Sequence, residues 1–240
     1  MTDEPGIEAR LVEQIDYYRA RASEYDHWWL RTGRYNFGDE ANRRWQSEVA
    51  AVYAALDSFA PRGDVLELAA GTGIWTSRLA QYSDRVTAVD TAPETLAINR
   101  ARMSGSPTPI RYVEADLFDW QPDRRYDVVS FTFWISHVPE THFEHFWELV
   151  RSALVPGGRF FFVDNAVPAV DGPIVAGYEG VTDLEDGTSR RRLSTGEEFE
   201  IVKVFWSPAG LRARLEALGW SAHVATTDWA FIYGHGHRRA

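Results

Sequence analysis

Val65-Leu66-Glu67-Leu68-Ala69-Ala70-Gly71-Thr72-Gly73 is a run of strand-forming residues that ends in a glycine turn, and Ile74 to Tyr82 continues it with a helical pattern. Glycine accepts the left-handed backbone that such a turn demands. It also lets a ligand approach bare peptide groups at the positive end of a helix. A second apolar run, Val86-Thr87-Ala88-Val89, ends in Asp90, 19 positions after Gly71. An acid there can accept hydrogen bonds from both hydroxyls of a ribose. Strand, turn, helix and spaced acid together predict a nucleoside-binding site on a Rossmann-like sheet.

The flanking sequence fits that sheet. Asn42 to Phe59 reads as a helix that Pro61-Arg62-Gly63 ends, and Pro93 opens another that runs to about Met103. Ile110 to Val113, Asp127 to Phe131 and Arg159 to Val163 are short apolar strands, with a helix over Glu140 to Leu154 before the last. Strands alternating with helices predict an α/β fold of about seven mainly parallel strands with helices on both faces. Residues 7 to about 30 form one or two amphipathic helices, with Leu11, Ile15 and Tyr18 on one stripe. Four parts of a single 1–240 domain follow: an N-terminal helical lid (1–60), a cofactor-binding core (61–165), an inserted basic β-hairpin with the acceptor region (166–206), and a C-terminal helix with strands (207–240).

Composition narrows the partners. The chain has 240 residues with 35 acidic and 25 basic side chains, a net charge of −10, which disfavours a nucleic-acid substrate. It contains no cysteine, so neither a disulfide framework nor thiol chemistry is available. No apolar run approaches the ~20 residues of a membrane span and no signal peptide is present, so the sequence reads as cytoplasmic. Ten tryptophans are many for a plain Rossmann unit, and they either line a pocket or fill the core.

The spacing by itself admits NAD or S-adenosylmethionine. A dinucleotide fingerprint requires a third glycine, where this chain has Thr76. Glu67-Leu68-Ala69-Ala70-Gly71-Thr72-Gly73 instead resembles motif I of the class I S-adenosylmethionine-dependent methyltransferases. An acid beside that cofactor's ammonium is tolerable, whereas beside a pyrophosphate it would repel. Asp116, after the third strand, is similar to the family residue that accepts from the adenine amino group, although an Asp there also suits a turn or a helix cap. Leu154-Val155-Pro156-Gly157-Gly158 resembles the family's turn before its fifth strand.

Other segments are similar to the phosphonate O-methyltransferases of dehydrophos biosynthesis: Tyr17 to Asp26, Asp116 to Trp120, His137-Val138-Pro139 and Phe199 to Phe205. The resemblance implies S-adenosylmethionine as cofactor and a small, anionic acceptor under the lid. For the cofactor it implies Tyr18, Tyr25, Glu67, Ala69, Gly71, Thr72, Gly73, Trp75, Asp90, Thr91, Asp116, Leu117 and Phe133. For the acceptor it implies Trp134, His137, Arg191 and Lys203; Trp29 and Tyr35 join them from an aromatic stretch in which Trp28 and Trp29 either line the acceptor pocket or pack the lid. Tyr17, Tyr18 and Tyr25 either close over the cofactor or pack the helix. The stretch His27 to Tyr35 departs from the relatives, being longer and more aromatic.

Arg190-Arg191-Arg192-Leu193, then Ser194-Thr195-Gly196, then Phe199 to Phe205 reads as strand, turn, strand. Alternation puts Phe199, Ile201, Lys203 and Phe205 on one face, so an ammonium falls in an apolar row and needs a partner or a way to water. An anionic acceptor would be one such partner. A three-residue loop with Gly196 left-handed puts Arg191 on the Lys203 face, while a two-residue turn selects Arg190 and Arg192. The resemblance favours Arg191. An ionised acid needs no base, whereas a phenol, alcohol or amine acceptor would use His137 as one. Asp164-Asn165 could assist a metal, but Phe131-Thr132-Phe133-Trp134 lacks the companion Asp, so no metal is expected. The competing classes are a nicotinamide-dependent oxidoreductase and a cofactor-binding protein without turnover. No oligomerisation signature is visible.

Overall fold

The computed structural model describes residues 4–167, 182–183 and 186–239. Much of the first half of the predicted insertion therefore lies outside the described residues. The main sheet has seven strands: β1 (Asp64–Leu68), β2 (Arg85–Asp90), β3 (Ile110–Glu114), β4 (Tyr126–Thr132), β5 (Leu154–Asn165), β9 (Trp220–Thr226) and β10 (Phe231–Arg238). Its order is β3-β2-β1-β4-β5-β10-β9, with β10 antiparallel to both neighbours and the other pairs parallel. The strand order reverses between β1 and β4, so a crevice opens outside their carboxyl ends.

Alternation divides the core into two layers. Leu66, Leu68, Phe131, Phe160 and Phe162 face one side, where α6 (Phe143–Ala153) and α7 (Pro208–Ala217) cover them. Phe143, Phe146, Trp147, Val150 and Ala153 recur at helical spacing and form the buried stripe of α6. Val65, Val86, Val128, Phe161 and Val163 face the other side, against α3 (Asp39–Phe59) and α4 (Ile74–Leu79). α5 (Pro93–Arg102) starts on a proline, whose missing N–H costs nothing in the first turn.

Two helices, α1 (Glu4–Arg21) and α2 (Tyr25–Leu30), lie over the carboxyl end of the sheet. A small second sheet joins β6 (Thr182–Asp183), β7 (Thr188–Arg192) and β8 (Glu198–Val202). α1 packs on β8: Glu13 accepts the Glu200 N–H at 2.7 Å, and the Tyr17 and Phe199 rings sit 5.6 Å apart.

Several boundaries differ from the sequence reading, and three of the differences have a visible cause. β5 starts at Leu154 rather than Arg159, because Leu154 already pairs with Tyr126 before the register shifts across the proline–glycine turn. α6 starts at Phe143 because Glu140–His142 forms a 3₁₀ turn. β8 stops at Val202, because the Val204 N–H bonds to the Ser136 carbonyl and draws the chain towards the end of β4.

Candidate active site

The cofactor cavity, about 760 Å³, lies at the carboxyl ends of β1 to β4 and is roofed by α1 and α2. Its floor is the glycine turn, where Gly71 and Gly73 adopt φ of +53° and +88°. A side chain on Gly71 would meet nothing within 4 Å, so this peptide faces open space, whereas one on Gly73 would strike Asn99. Asp90 fixes the turn: Oδ2 accepts the Gly71 N–H at 2.8 Å, and Oδ1 accepts from Ala92 N–H at 2.9 Å and from the Thr95 hydroxyl at 3.1 Å. Burial raises the Asp90 pKa against the pull of these donors. Asp116 forms a local turn by accepting the Phe118 N–H at 3.0 Å, and it lines the cavity beside Leu117.

These residues fit S-adenosylmethionine. Two acids line the cavity, Asp90 at the end of β2 and Asp116 after β3. Glu67, under the turn, keeps Oε1 buried with no hydrogen-bond partner, an orphan suited to an ammonium group. Burial, then the nearby Asp90, pushes the Glu67 pKa up to about 8 against the Thr76 hydroxyl that bonds it.

A second cavity of about 290 Å³ adjoins the first and shares Tyr18, Tyr25, Phe133 and His137 with it. Its remaining lining is Arg21, Trp28, Asn165, Arg191 and Lys203, three cations and no carboxylate. The hairpin turn is Ser194-Thr195-Gly196 with Gly196 at φ +93°, closed by Leu193 N–H to the Glu197 carbonyl. Arg191 consequently pairs with Phe199 and is buried, while Arg190 and Arg192 remain exposed.

Lys203 is 3% exposed and already has partners within the fold. Its ammonium donates to Ser136 Oγ and Asn165 Oδ1, both at 2.8 Å, and lies 3.7 Å from Asp164 Oδ1. The sequence reading that an acceptor would supply its counter-charge is corrected accordingly: Asp164, itself buried, supplies it.

His137 is buried between Val202 and Tyr18. Its Nδ1 lies 2.8 Å from the Val202 carbonyl and its Nε2 2.7 Å from the Tyr18 hydroxyl. A carbonyl can only accept, so Nδ1 carries the proton and Nε2 accepts from Tyr18. Burial, then Lys203, Arg191 and Arg21, hold the His137 pKa well below the ordinary histidine value. Burial also raises the Tyr18 pKa well above the usual phenol value. A base role for His137 is thereby narrowed: both ring nitrogens are engaged, and any proton from an acceptor would reach it through Tyr18.

Other predicted residues are sorted by the structure. Tyr18, Tyr25, Ala69, Gly71, Asp90, Thr91, Asp116, Leu117 and Phe133 line the cofactor cavity. Trp134 lines it too, not the acceptor pocket where it was placed from sequence. Glu67, Thr72 and Gly73 support the turn from behind, and Thr72 donates to Asp26 of α2 at 2.5 Å. Three expectations are corrected. Trp29 and Trp75, 5.7 Å apart, belong to the aromatic core with Tyr53 and Phe231, and Trp28 is the tryptophan at the pocket. Tyr35 is buried behind Arg21, which donates to its hydroxyl at 3.1 Å. Sequence reasoning missed Arg21, Asn165 and Gln14. Arg21 had a signal, because Tyr18, Arg21 and Tyr25 follow the spacing of one helical face. No group of three metal-binding side chains occurs among the described residues, and no described helix is long and apolar enough to cross a membrane.

This sheet order, with a nucleoside cavity at its switch point, defines a Rossmann-like methyltransferase fold. A family profile described as a methyltransferase domain matches residues 65–158. Among solved structures, DhpI is 41% identical in its DhpI–SAM–HEP complex (TM-score 0.76, 95% of this chain and 97% of that chain). In its DhpI–SAH complex the identity is 39%, the TM-score 0.74 and the coverage 96% and 97%. The chain belongs to the class I S-adenosylmethionine-dependent methyltransferases and is similar to DhpI. A demethylmenaquinone methyltransferase of Clavibacter sepedonicus is 34% identical over 48% of this chain and 46% of its own length, so the chain spans about half of that relative. A ubiquinone biosynthesis O-methyltransferase of Xanthomonas campestris pv. campestris is 29% identical over 62% of this chain and 67% of its own.

Proposed function

We propose that the enzyme methylates an oxygen of a small acid, a phosphonate or carboxylate, held in the smaller cavity. The observation that carries this reading is the convergence of Arg21, Arg191 and Lys203 on a pocket with no carboxylate in its lining. Asp164 lies 3.7 Å from the Lys203 ammonium, and a lining with three cationic side chains and no carboxylate suits an anion. When bound, S-adenosylmethionine supplies a methyl group already activated for displacement. The protein's task is alignment. Arg191 would grip the acid through its planar fork and Lys203 would add a point charge. Arg21 approaches from the lid side, and Phe133, shared by both cavities, marks where acceptor and methyl donor meet. An ionised acid oxygen needs no base, in keeping with a His137 whose accepting nitrogen is occupied. In this reading residues up to about 60 form the lid, and the β7–β8 hairpin forms the acceptor wall.

Transfer from labelled S-adenosylmethionine to a panel of phosphonates, carboxylates and phenols, without added metal, tests the proposal. Acids are expected to be methylated, with turnover collapsing in Arg191→Met. Turnover of phenols alone, indifferent to Arg191, would overturn it and turn attention to the Tyr18–His137 pair.

A further inference from the structure

Arg21 reaches the smaller cavity from the end of α1, yet it is 5% exposed and gripped from behind. Its guanidinium lies 5.5, 5.3 and 6.0 Å from the ring centroids of Tyr17, Tyr25 and Tyr35, and its Nη2 donates to the Tyr35 hydroxyl at 3.1 Å. That hydroxyl oxygen accepts a second time, from Arg34 Nη2 at 3.0 Å. A hydroxyl oxygen has two lone pairs, so one atom serves both guanidinium groups. Tyr35 itself is 1% exposed and belongs to the aromatic core that holds Trp28, Trp29 and Trp45.

The other end of this brace is the hairpin. Arg34 donates to the Arg192 carbonyl at 3.2 Å, at the end of β7, and pairs with Glu24 at 3.3 Å. Glu24 in turn accepts the Ser194 N–H of the hairpin turn at 3.2 Å. Two guanidinium groups bonded to one neutral oxygen repel each other, and Arg34 does not line the cavity, so its push on Arg21 comes from behind. The backbone brings Tyr35 to this place. Arg31 ends α2 in the left-handed region at φ +53°, with its guanidinium 3.5 Å from the Trp45 ring centroid, and Gly33 follows at φ +57°. The 3₁₀ turn Gly33–Tyr35 then returns the chain to Arg21, 14 positions earlier.

We propose that Tyr35 is a positioning residue for the acceptor site: its hydroxyl, held by Arg34 against the β7–β8 hairpin, fixes the Arg21 guanidinium in the direction from which it donates to the acid. Loss of that hydroxyl leaves Arg21 its charge but not its aim, and a guanidinium recognises an oxyanion by direction as well as by charge. The aromatic stretch His27 to Tyr35 thus shapes the pocket twice, through Trp28 in its lining and through Tyr35 behind Arg21. The proposal rests on the reading of the smaller cavity as an acid site.

Methylphosphonate and acetate, titrated into the S-adenosylhomocysteine complex, probe the cavity without turnover. Tyr35→Phe, which removes a single oxygen, is expected to weaken the tighter-binding probe about tenfold, with S-adenosylhomocysteine affinity held within about twofold. In turnover the KM of the acid should rise by the same factor while kcat stays nearly unchanged. In an Arg21→Met background Tyr35→Phe should add less than about twofold, because the group it positions is gone. An unchanged affinity in Tyr35→Phe, or the same loss in both backgrounds, would overturn the proposal. Should Tyr35→Phe not fold, Arg34→Met cuts the brace at its part-exposed far end and is expected to weaken the probe about threefold where Arg21 is present. No loss there overturns the proposal as well. If neither probe binds the wild type, the acid reading fails rather than the brace. The nitrogen-15 resonance of Arg21 Nε then decides: it should shift in Tyr35→Phe without any ligand, and an unmoved resonance would overturn the brace too.

Discussion

The cofactor cavity and the acceptor pocket share four side chains yet are built on opposite principles. The first is set mainly by the ends of β1 to β4, in the stretch from Ala69 to His137, and its charged groups are acids held by backbone N–H groups. The second draws Arg21 from α1, Asn165 from the end of β5, Arg191 from β7 and Lys203 from beyond β8. Its charged groups are cations, and neighbouring side chains restrain Lys203 and Arg21. A turn on a parallel sheet places a cofactor with little help from distant sequence. A pocket lined by cations has to import charge from several elements and then keep those side chains in place.

That contrast can be broken most forcefully at Lys203. If Asp164 is its counter-ion, Lys203→Met leaves a buried carboxylate without its cation and should cost about 3–5 kcal/mol. Thermal melting should register a fall of roughly 10 °C. An unchanged melting temperature would mean that Lys203 serves the acceptor alone. Arg191→Met probes the pocket more cleanly, since the Lys203–Asp164 pair survives it. We expect kcat/KM for the acid to fall about 100-fold, with Arg191→Lys recovering only part because the fork is lost. S-adenosylhomocysteine affinity should stay within about twofold, and a parallel loss would show that the two cavities are not separable.

Asp90→Asn should act on the other side of the comparison. Weakening its grip on the Gly71 N–H and on a ribose should reduce cofactor affinity about tenfold by calorimetry, with the acceptor KM little changed. The smallest effect concerns the end of β1, where Ala69 holds φ +53°, a conformation unfavourable for any residue with a Cβ. Ala69→Gly should gain about 0.5–1 kcal/mol, measurable as a melting temperature a few degrees higher. No gain would mean that the alanine methyl contributes packing worth as much as the strain.

The pH dependence of stability bears on the shared wall. Buried His137 resists protonation in the folded state, so its contribution is intact above the unfolded-state value of about 6.5. It is lost as pH falls below that value towards the lower folded pKa. Melts at pH 7.5 and 5.5 should show a smaller acid-induced drop in His137→Gln than in wild type.

Most of the sheet was legible because each strand and helix carries its own period, and motif I announces its turn with glycines. Legibility failed where one residue type serves two environments. Trp28 and Trp29 are neighbours in sequence and share one aromatic core, but helical rotation brings only Trp28 to the pocket lining. Lys203 looked unpartnered because Asp164 lies 39 positions earlier on β5, and only sheet packing brings them together. Arg21 sat on a readable helical face, but nothing in the sequence said that this face covers a pocket.

The sequence by itself determined the class of fold and the place of the glycine turn, because these depend on local backbone preference and short spacings, while the choice of S-adenosylmethionine over NAD came from the resemblance of motif I to the methyltransferases. Only the tertiary structure decided which cations line the smaller pocket, that Tyr18 occupies the accepting nitrogen of His137, and that Asp164 neutralises Lys203. Burial and charge balance arise between segments far apart in the chain, and no local pattern encodes them.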